Sequence, residues 1–245
     1  MTQTIPSSNL PTSPHPISAN PELKSVFDTI FAFPPNRDTL GGTAYLVLES
    51  SGNILIDCPP WNALTQNLLD QYGGIRWLAF THRGNMGNAS SVKQIQAHFQ
   101  CDLLVQEQEA YLLPELNPTS FQHTFQLSPT SQIIWTPGHT PGSACLHHYL
   151  PENEQSQPGV LFTGRHLLPN AQGSMQPLRV AKTFHWLRQL RSIQTLRNMF
   201  TAEALEFGCP GANTGFLRKR TKVTSLYRQL VDLDLESLKS VQPGL

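Results

Sequence analysis

Residues 136–143 read Thr-Pro-Gly-His-Thr-Pro-Gly-Ser, between the apolar runs "SQIIW" (131–135) and "ACLHHYL" (144–150). Short runs rich in Ile, Trp, Leu and Tyr, bounded by Pro and Gly, predict strands. Two Pro-Gly pairs within eight residues leave no room for a strand or helix between them, so the segment is a strand-end loop carrying His139. Four more loops of this kind follow apolar runs: Asp57-Cys58-Pro59, Thr81-His82, Phe162-Thr163-Gly164-Arg165 and Cys209-Pro210-Gly211-Ala212-Asn213. In layered α/β proteins ligands sit where strands end.

The stretches between these loops mix strand and helix patterns. "TAYLVLES" and "ILIDCPP", joined by the turn "SGN", predict a hairpin. Trp61, Leu64, Leu68 and Leu69 recur at helical spacing before the stop Gly73-Gly74. "IRWLAF" predicts a strand, and "ASSVKQIQAHFQ" a helix capped by Ser90 or Ser91. "CDLLVQ" and "VLFTG" predict further strands, "EQEAYLLPEL" a short helix and "PENEQSQPG" a polar turn. "FHWLRQLRSIQTLRNMF" is the longest helix, "ALEFGCPGAN" a short strand with a turn, and "KVTSLYRQLVDLDLESLK" a terminal helix. This mixture predicts an α/β layered architecture.

Composition narrows the function classes. Of 245 residues, 39% are hydrophobic, enough for a core, and only 14% are charged, against about 25% in soluble domains. Net charge is zero, so the whole-chain balance points to neither nucleic acid nor membrane. No run reaches the roughly 18 apolar residues of a membrane span, and the first residues lack the basic and apolar regions of a secretory signal. The expected location is cytoplasmic, with Cys58, Cys101, Cys145 and Cys209 as reduced, buried thiols. Residues 1–21, with five prolines, predict a flexible leader before one domain spanning 22–245.

The order of the loops resembles the metallo-β-lactamase fold superfamily. "LIDCPP", "FTHRGNMGNA", "TPGHTPGS", "LFTGR" and "CPGAN" stand where that family has an IDTG-like turn, THxHxDH, TPGHTPGS, FTGD and PGHG. The match is unbroken over eight residues at 136–143, and the correspondence covers about residues 40–215. The resemblance implies a four-layer αβ/βα sandwich. It also implies two Zn²⁺ or iron ions that activate a bridging hydroxide. In the family, one ion takes both histidines of HxH and that of PGHT, the other the DH pair and the histidine of PGHG, and the FTGD aspartate bridges them.

This chain departs from that ligand set. His82 and His139 match, but Gly84, Met86 and Gly87 occupy the second histidine, the aspartate and the third histidine. Arg165 stands at the bridging aspartate and Ala212 at the last histidine. Residues 83–91 contain no His, Asp, Glu or Cys, so no shift of register restores a ligand. A guanidinium stays protonated and cannot ligate a metal. At about 4 Å from a dication its repulsion is several kcal/mol even at an effective dielectric near 20. Two histidines also fall short of the three or four protein ligands Zn²⁺ takes.

The chain is therefore expected to be a pseudoenzyme of this fold, with no resident metal pair and no catalytic residues, serving as a binding or assembly protein. Its cleft candidates are Asp57, His82, Arg83, His139, Arg165 and Cys209. They would take a small anionic ligand or face a protein partner. Arg165 is expected to pair with Asp57, and His82 and His139 to remain as loop residues hydrogen-bonded to backbone. Cys209 is expected to be a structural thiol, and His147 and His148 to point to opposite faces. The rival is a hydrolase of esters, thioesters or phosphoesters with a single Zn or Fe on His82 and His139 with Asp57 or Cys58.

Charge supplies a third reading. Residues 101–160 hold six Asp or Glu and no Lys or Arg, whereas residues 161–230 hold eleven Lys or Arg and two Glu. An RNA face through Arg188, Arg191, Arg218, Lys219 and Arg220 is one reading of this asymmetry. The other, and preferred, reading is a solvated helix face plus a basic loop that pairs with the acidic half of the same chain.

Overall fold

Tyr45, Leu46 and Val47 are all buried, yet they serve two cores. Successive strand side chains point to opposite faces. Tyr45 and Val47 join one apolar cluster and Leu46 another. The same split recurs at Ile54/Leu55/Ile56 and Trp77/Leu78/Ala79. A strand apolar on both faces belongs to a sheet covered on both sides, and the computed structural model, which describes residues 23–151 and 157–244, has that arrangement.

The first sheet runs in sequence order through β1 (Lys24–Phe27), β2 (Ile30–Ala32), β3 (Tyr45–Val47), β4 (Ile54–Ile56), β5 (Trp77–Ala79), β6 (Asp102–Gln106) and β7 (Thr119–Phe121). Its early strands are antiparallel, and β4 to β7 are parallel, reached through crossovers. Helices α1 (Ala63–Gln71) and α2 (Ala89–Phe99) are two of those crossovers, and they cover the outer face with Leu68, Leu69, Val92 and Ile95.

The second sheet contains β8 (Thr124–Gln126), β9 (Ser131–Trp135), β10 (Ala144–Tyr149) and β11 (Gly159–Gly164). After a ribbon of β12 (Leu168–Pro169) and β13 (Met175–Gln176), it is completed by β14 (Phe207–Pro210) and β15 (Val223–Thr224), in the order β15-β14-β11-β10-β9-β8. Helices α3 (Trp186–Met199), α4 (Leu226–Asp232) and α5 (Leu235–Leu238) pack on its outer side, with Leu190, Ile193, Leu196, Leu226 and Leu230 over Ile134, Cys145 and Leu161. Between the sheets lie Tyr45, Ile54, Ile56, Leu104, Ile133, Leu146, Val160, Phe162 and Cys209. The result is the four-layer αβ/βα sandwich implied by the loop order.

Several local expectations are corrected. Helix α2 is capped by Asn88, whose side chain accepts from Ser91 N at 2.8 Å, not by Ser90 or Ser91. "EQEAYLLPEL" forms two 3-10 turns, Glu107–Leu112 and Pro114–Leu116. The terminal helix is two helices, because Leu233 is extended and Asp234 caps a new start through Glu236 N and Ser237 N. Strands β1, β2, β7, β8, β12, β13 and β15 are short and were not anticipated, and β15 takes Val223–Thr224 from the start of the expected terminal helix. The proposed leader, 1–21, and residues 152–156 of the polar turn lie outside the described residues. Among the described residues no helix is long and apolar enough to cross a membrane.

A buried polar latch joins the sheets. Ser131 Oγ lies 2.8 Å from His148 Nδ1 and also donates to Glu49, while His148 Nδ1 stands 3.1 Å from Glu49 Oε1. Burial pushes the Glu49 pKa up, but the bonds from His148, Ser128 and Ser131 outweigh it and hold the carboxylate at about 2.

Candidate ligand-binding cleft

The five loops meet at one end of the sandwich because the two sheets are bonded to each other there. Ala144 N, at the start of β10, donates to Thr81 O, just beyond β5, at 2.7 Å. Thr43 N donates to Gly211 O at 2.9 Å, and Gly211 N to Gly164 O at 2.8 Å. Tyr45 Oη, buried between the sheets, donates to Pro210 O at 2.8 Å.

The Pro-Gly loop is pinned on helix α3. His185 N donates to Gly138 O and Phe184 N to His139 O, at 2.9 and 3.1 Å. Gly138 has φ +149°, and a Cβ there would stand 2.3 Å from Gln189 Cα, so only glycine lets the loop approach the helix backbone this closely. Inside the loop Ser143 Oγ accepts from Thr140 N at 2.8 Å. Across the site Gly164 has φ +51°, and a Cβ would meet Thr81 Oγ1 at 2.5 Å.

Asp57 organises the opposite wall. It ends β4 with φ +63° and is 2% exposed. Its carboxylate accepts from Thr81 N (2.8 Å), Thr81 Oγ1 (2.7 and 2.9 Å) and Asn85 Nδ2 (2.7 Å). Desolvation is the largest influence on it and raises its pKa to about 6, although these bonds and the Arg165 charge oppose the rise.

Arg165 does not pair with Asp57. Among the described residues no carboxylate comes within ion-pair distance of its guanidinium. Its Nη2 donates instead to Thr39 O at 2.7 Å and Leu40 O at 3.1 Å, while its buried Nε has no partner. Three donors from Thr81 and Asn85 hold Asp57 on its own wall, and the carbonyls of Thr39 and Leu40 face the arginine.

His82 and His139 do come together, with ring centroids 5.1 Å apart and edge to face. Among the described residues neither ring bonds to backbone, contrary to expectation, and the one hydrogen-bond contact is His82 Nδ1 to Thr81 Oγ1 at 3.5 Å. Burial drives both pKa values down, His139 to about 4 and His82 well below its usual value, with Arg165 and Arg83 adding repulsion. Both rings are therefore neutral at pH 7. Arg83 itself is exposed, and its charge acts on both imidazoles.

The remaining candidates are structural. Cys209 lies in the core between the sheets, and burial pushes its thiol up to about 12. Cys58 is buried in the outer core with its thiol likewise at about 12. His147 and His148 do face opposite ways: His147 Nε2 meets Ala204 O at 2.6 Å, and His148 joins the Glu49 latch. His166 is buried, and among the described residues neither of its ring nitrogens has a partner.

Sequence reasoning missed Glu109. It is 1% exposed, and its carboxylate accepts from Arg83 N at 2.6 Å and Gly142 N at 3.2 Å. It thus ties the His82 loop to the Pro-Gly loop. It also missed Asn85, the donor to Asp57. Neither sits in a motif; burial alone distinguishes Glu109 from the exposed Glu107 two residues away.

Of these residues, His139 and Arg165 line an open cavity of about 370 Å³, together with Leu40, Leu178, Ala212 and Asn213 among others; Asp57, His82 and Glu109 are not on its lining. The predicted pairing of the basic loop with the acidic half is absent among the described residues. Of the acidic residues of that half, Asp102, Glu107, Glu109 and Glu115 are described, and none is within ion-pair distance of Arg218, Lys219 or Arg220. Arg220 instead contacts Gly173 O at 3.5 Å, while Arg188 and Arg191 lie elsewhere, on α3.

No family model matches the chain, and no curated protein matches it by sequence. Solved structures match it by fold. The metallo-β-lactamase SMB-1, bound to 2-mercaptoethanesulfonate, is 11% identical, with a TM-score of 0.61 over 89% of this chain and 95% of that one. The metallo-β-lactamase DIM-1 is 15% identical, at 0.61 over 88% and 96%. An archaeal metallo-β-lactamase superfamily protein from Sulfolobus tokodaii is 12% identical, at 0.55 over 88% and 89%.

The fold implies a metal pair, and the donors here do not fit one. His82 and His139 stand together, but among the described residues no group of three or more His, Cys, Asp or Glu side chains is placed to hold a metal ion. Asp57 is spent on Thr81 and Asn85, and the cavity wall carries an arginine.

Proposed function

On a metallo-β-lactamase fold whose ligand positions hold Gly84, Met86, Gly87, Arg165 and Ala212, we propose that the chain is a non-hydrolytic binding protein. Its old cleft takes a small anionic ligand. The observation that supports this reading is the state of Arg165. A cation lines the cavity; among the described residues no carboxylate is within ion-pair distance of it, and its Nη1, unlike Nη2, makes no hydrogen bond. A carboxylate or phosphate oxygen would supply an acceptor for Nη1, while Nη2 stays on the carbonyls of Thr39 and Leu40 and holds the guanidinium in place. His139, held neutral, lines the same cavity and can donate or accept there without adding charge.

Calorimetric titration with mono- and dicarboxylates and phosphate monoesters tests the proposal. The Arg165→Met variant is expected to bind about 10- to 100-fold more weakly, the range for losing a hydrogen bond to a charged group. Arg165→Lys should retain part of the affinity. Unchanged affinity in Arg165→Met, or no binding by any ligand in the set, would defeat it.

A further inference from the structure

A second cationic site lies on the far side of the Pro-Gly loop. Pro137 lines a groove of about 340 Å³ together with Trp135, His123, Arg188, Arg191 and Met199. Trp135 is half-buried and fixed in place, since its Nε1 donates to Pro141 O at 2.9 Å. The Arg188 guanidinium sits over the indole, 5.3 Å from its centroid, and the His123 ring centroid is 5.7 Å from it. Arg188 and Arg191 follow one another around α3 at a spacing of three, so both reach the same side of the helix.

The two arginines lack an anionic partner. Among the described residues no Asp or Glu lines the groove. Among the described residues the Arg188 guanidinium makes no hydrogen bond or ion pair, and Arg191 has only a long contact, Nε to Leu187 O at 3.4 Å. The neighbouring groove between α3 and α5 differs, because it carries acidic residues of its own, Asp234 and Glu236, the latter bonded to Lys239. Two guanidiniums beside a flat indole suit a ligand that offers a π face and a phosphate together.

We propose that the groove of Trp135, His123, Arg188 and Arg191 binds a nucleotide, its base against the aromatic wall and its phosphate on the two arginines. Base stacking on an aromatic side chain is sequence-tolerant, so the same chemistry serves a free nucleotide or one nucleotide of a single strand. The site is independent of the Arg165 cleft.

Titration with AMP, followed by tryptophan emission, tests this. The chain has four tryptophans, so the Trp135 signal is the difference between the wild type and Trp135→Phe, which keeps an aromatic wall. AMP is expected to quench the wild type and not Trp135→Phe. The Arg188→Ala/Arg191→Ala double variant should bind about tenfold more weakly or worse. The single charge reversal Arg191→Glu, at an exposed position, should do the same, and Lys93→Ala, which removes an exposed cation on α2, should leave the AMP response of Trp135 unchanged. A short oligoadenylate that binds more tightly than AMP, with a steep salt dependence, assigns the site to RNA; equal affinity assigns it to the free nucleotide. The proposal is overturned if AMP leaves Trp135 emission unchanged, if the arginine variants bind as well as the wild type, or if polyglutamate displaces AMP as effectively as excess AMP does.

Discussion

Replacing Asp57 with alanine is expected to lower the unfolding free energy by about 3–5 kcal/mol at neutral pH. Three buried donors converge on this carboxylate: Thr81 N, Thr81 Oγ1 and Asn85 Nδ2. Each stranded buried donor costs about 1–3 kcal/mol, and removing a desolvated charge offsets part of the total. Alanine would also have to hold φ +63°, a left-handed conformation that costs an L-residue about 1–2 kcal/mol. Asp57→Asn keeps one carbonyl acceptor and should lose less than half as much. Asp57→Gly removes the backbone strain and isolates the stranded donors. Urea denaturation of the three variants checks the order. A loss below about 1 kcal/mol in Asp57→Ala would mean that water replaces the carboxylate freely, and that this wall of the cleft is not held by Asp57.

Stability is also expected to fall steeply between pH 6.5 and pH 4. Burial holds the pKa of His139 and His147 at about 4 and of His166 at about 3, all below the ordinary 6.5. These rings stay neutral in the folded chain and take up a proton on unfolding. The unfolded state therefore binds more protons below pH 6.5, and stability is lost as pH drops. Each histidine held down to pH 4 contributes a loss of roughly 3 kcal/mol over this range. Asp57 works in the opposite direction. Its pKa is raised from 3.8 to about 6, so its contribution grows as pH falls through that window and offsets about one histidine. Glu49, held near 2, adds a further loss below pH 4.5. The net expectation is several kcal/mol lost by pH 4, followed through urea midpoints. A flat profile between pH 6.5 and 4.5 would show that these imidazoles protonate in place.

Much of the fold was legible because the chain spells it locally. Strands buried on both faces appear as unbroken apolar runs, and Pro-Gly pairs mark the loops that end them. The glycine at 138 has a packing reason, its contact with Gln189 on α3. The short edge strands β1, β2, β7 and β8 were not legible, since three or four residues carry too little periodicity to separate strand from loop. The cleft was half legible. That His82, His139, Arg165 and Ala212 would share one end of the sandwich follows from the loop order. The partner of Arg165 did not follow from it. A sequence shows opposite charges at neighbouring strand ends but not that Thr81 and Asn85 reach Asp57 first. Glu109, which links two loops through Arg83 N and Gly142 N, has no motif around it.

The central claim concerns charge at one position. Relatives of this fold would place an anionic bridge where this chain places a guanidinium, and the two histidines that survive are neutral and lack further ligands. Elemental analysis of protein purified without chelator, alongside His82→Ala and His139→Ala, tests this most directly. The account expects Zn and Fe far below one equivalent per chain in all three proteins. Two equivalents in the wild type, lost in either histidine variant, would contradict it.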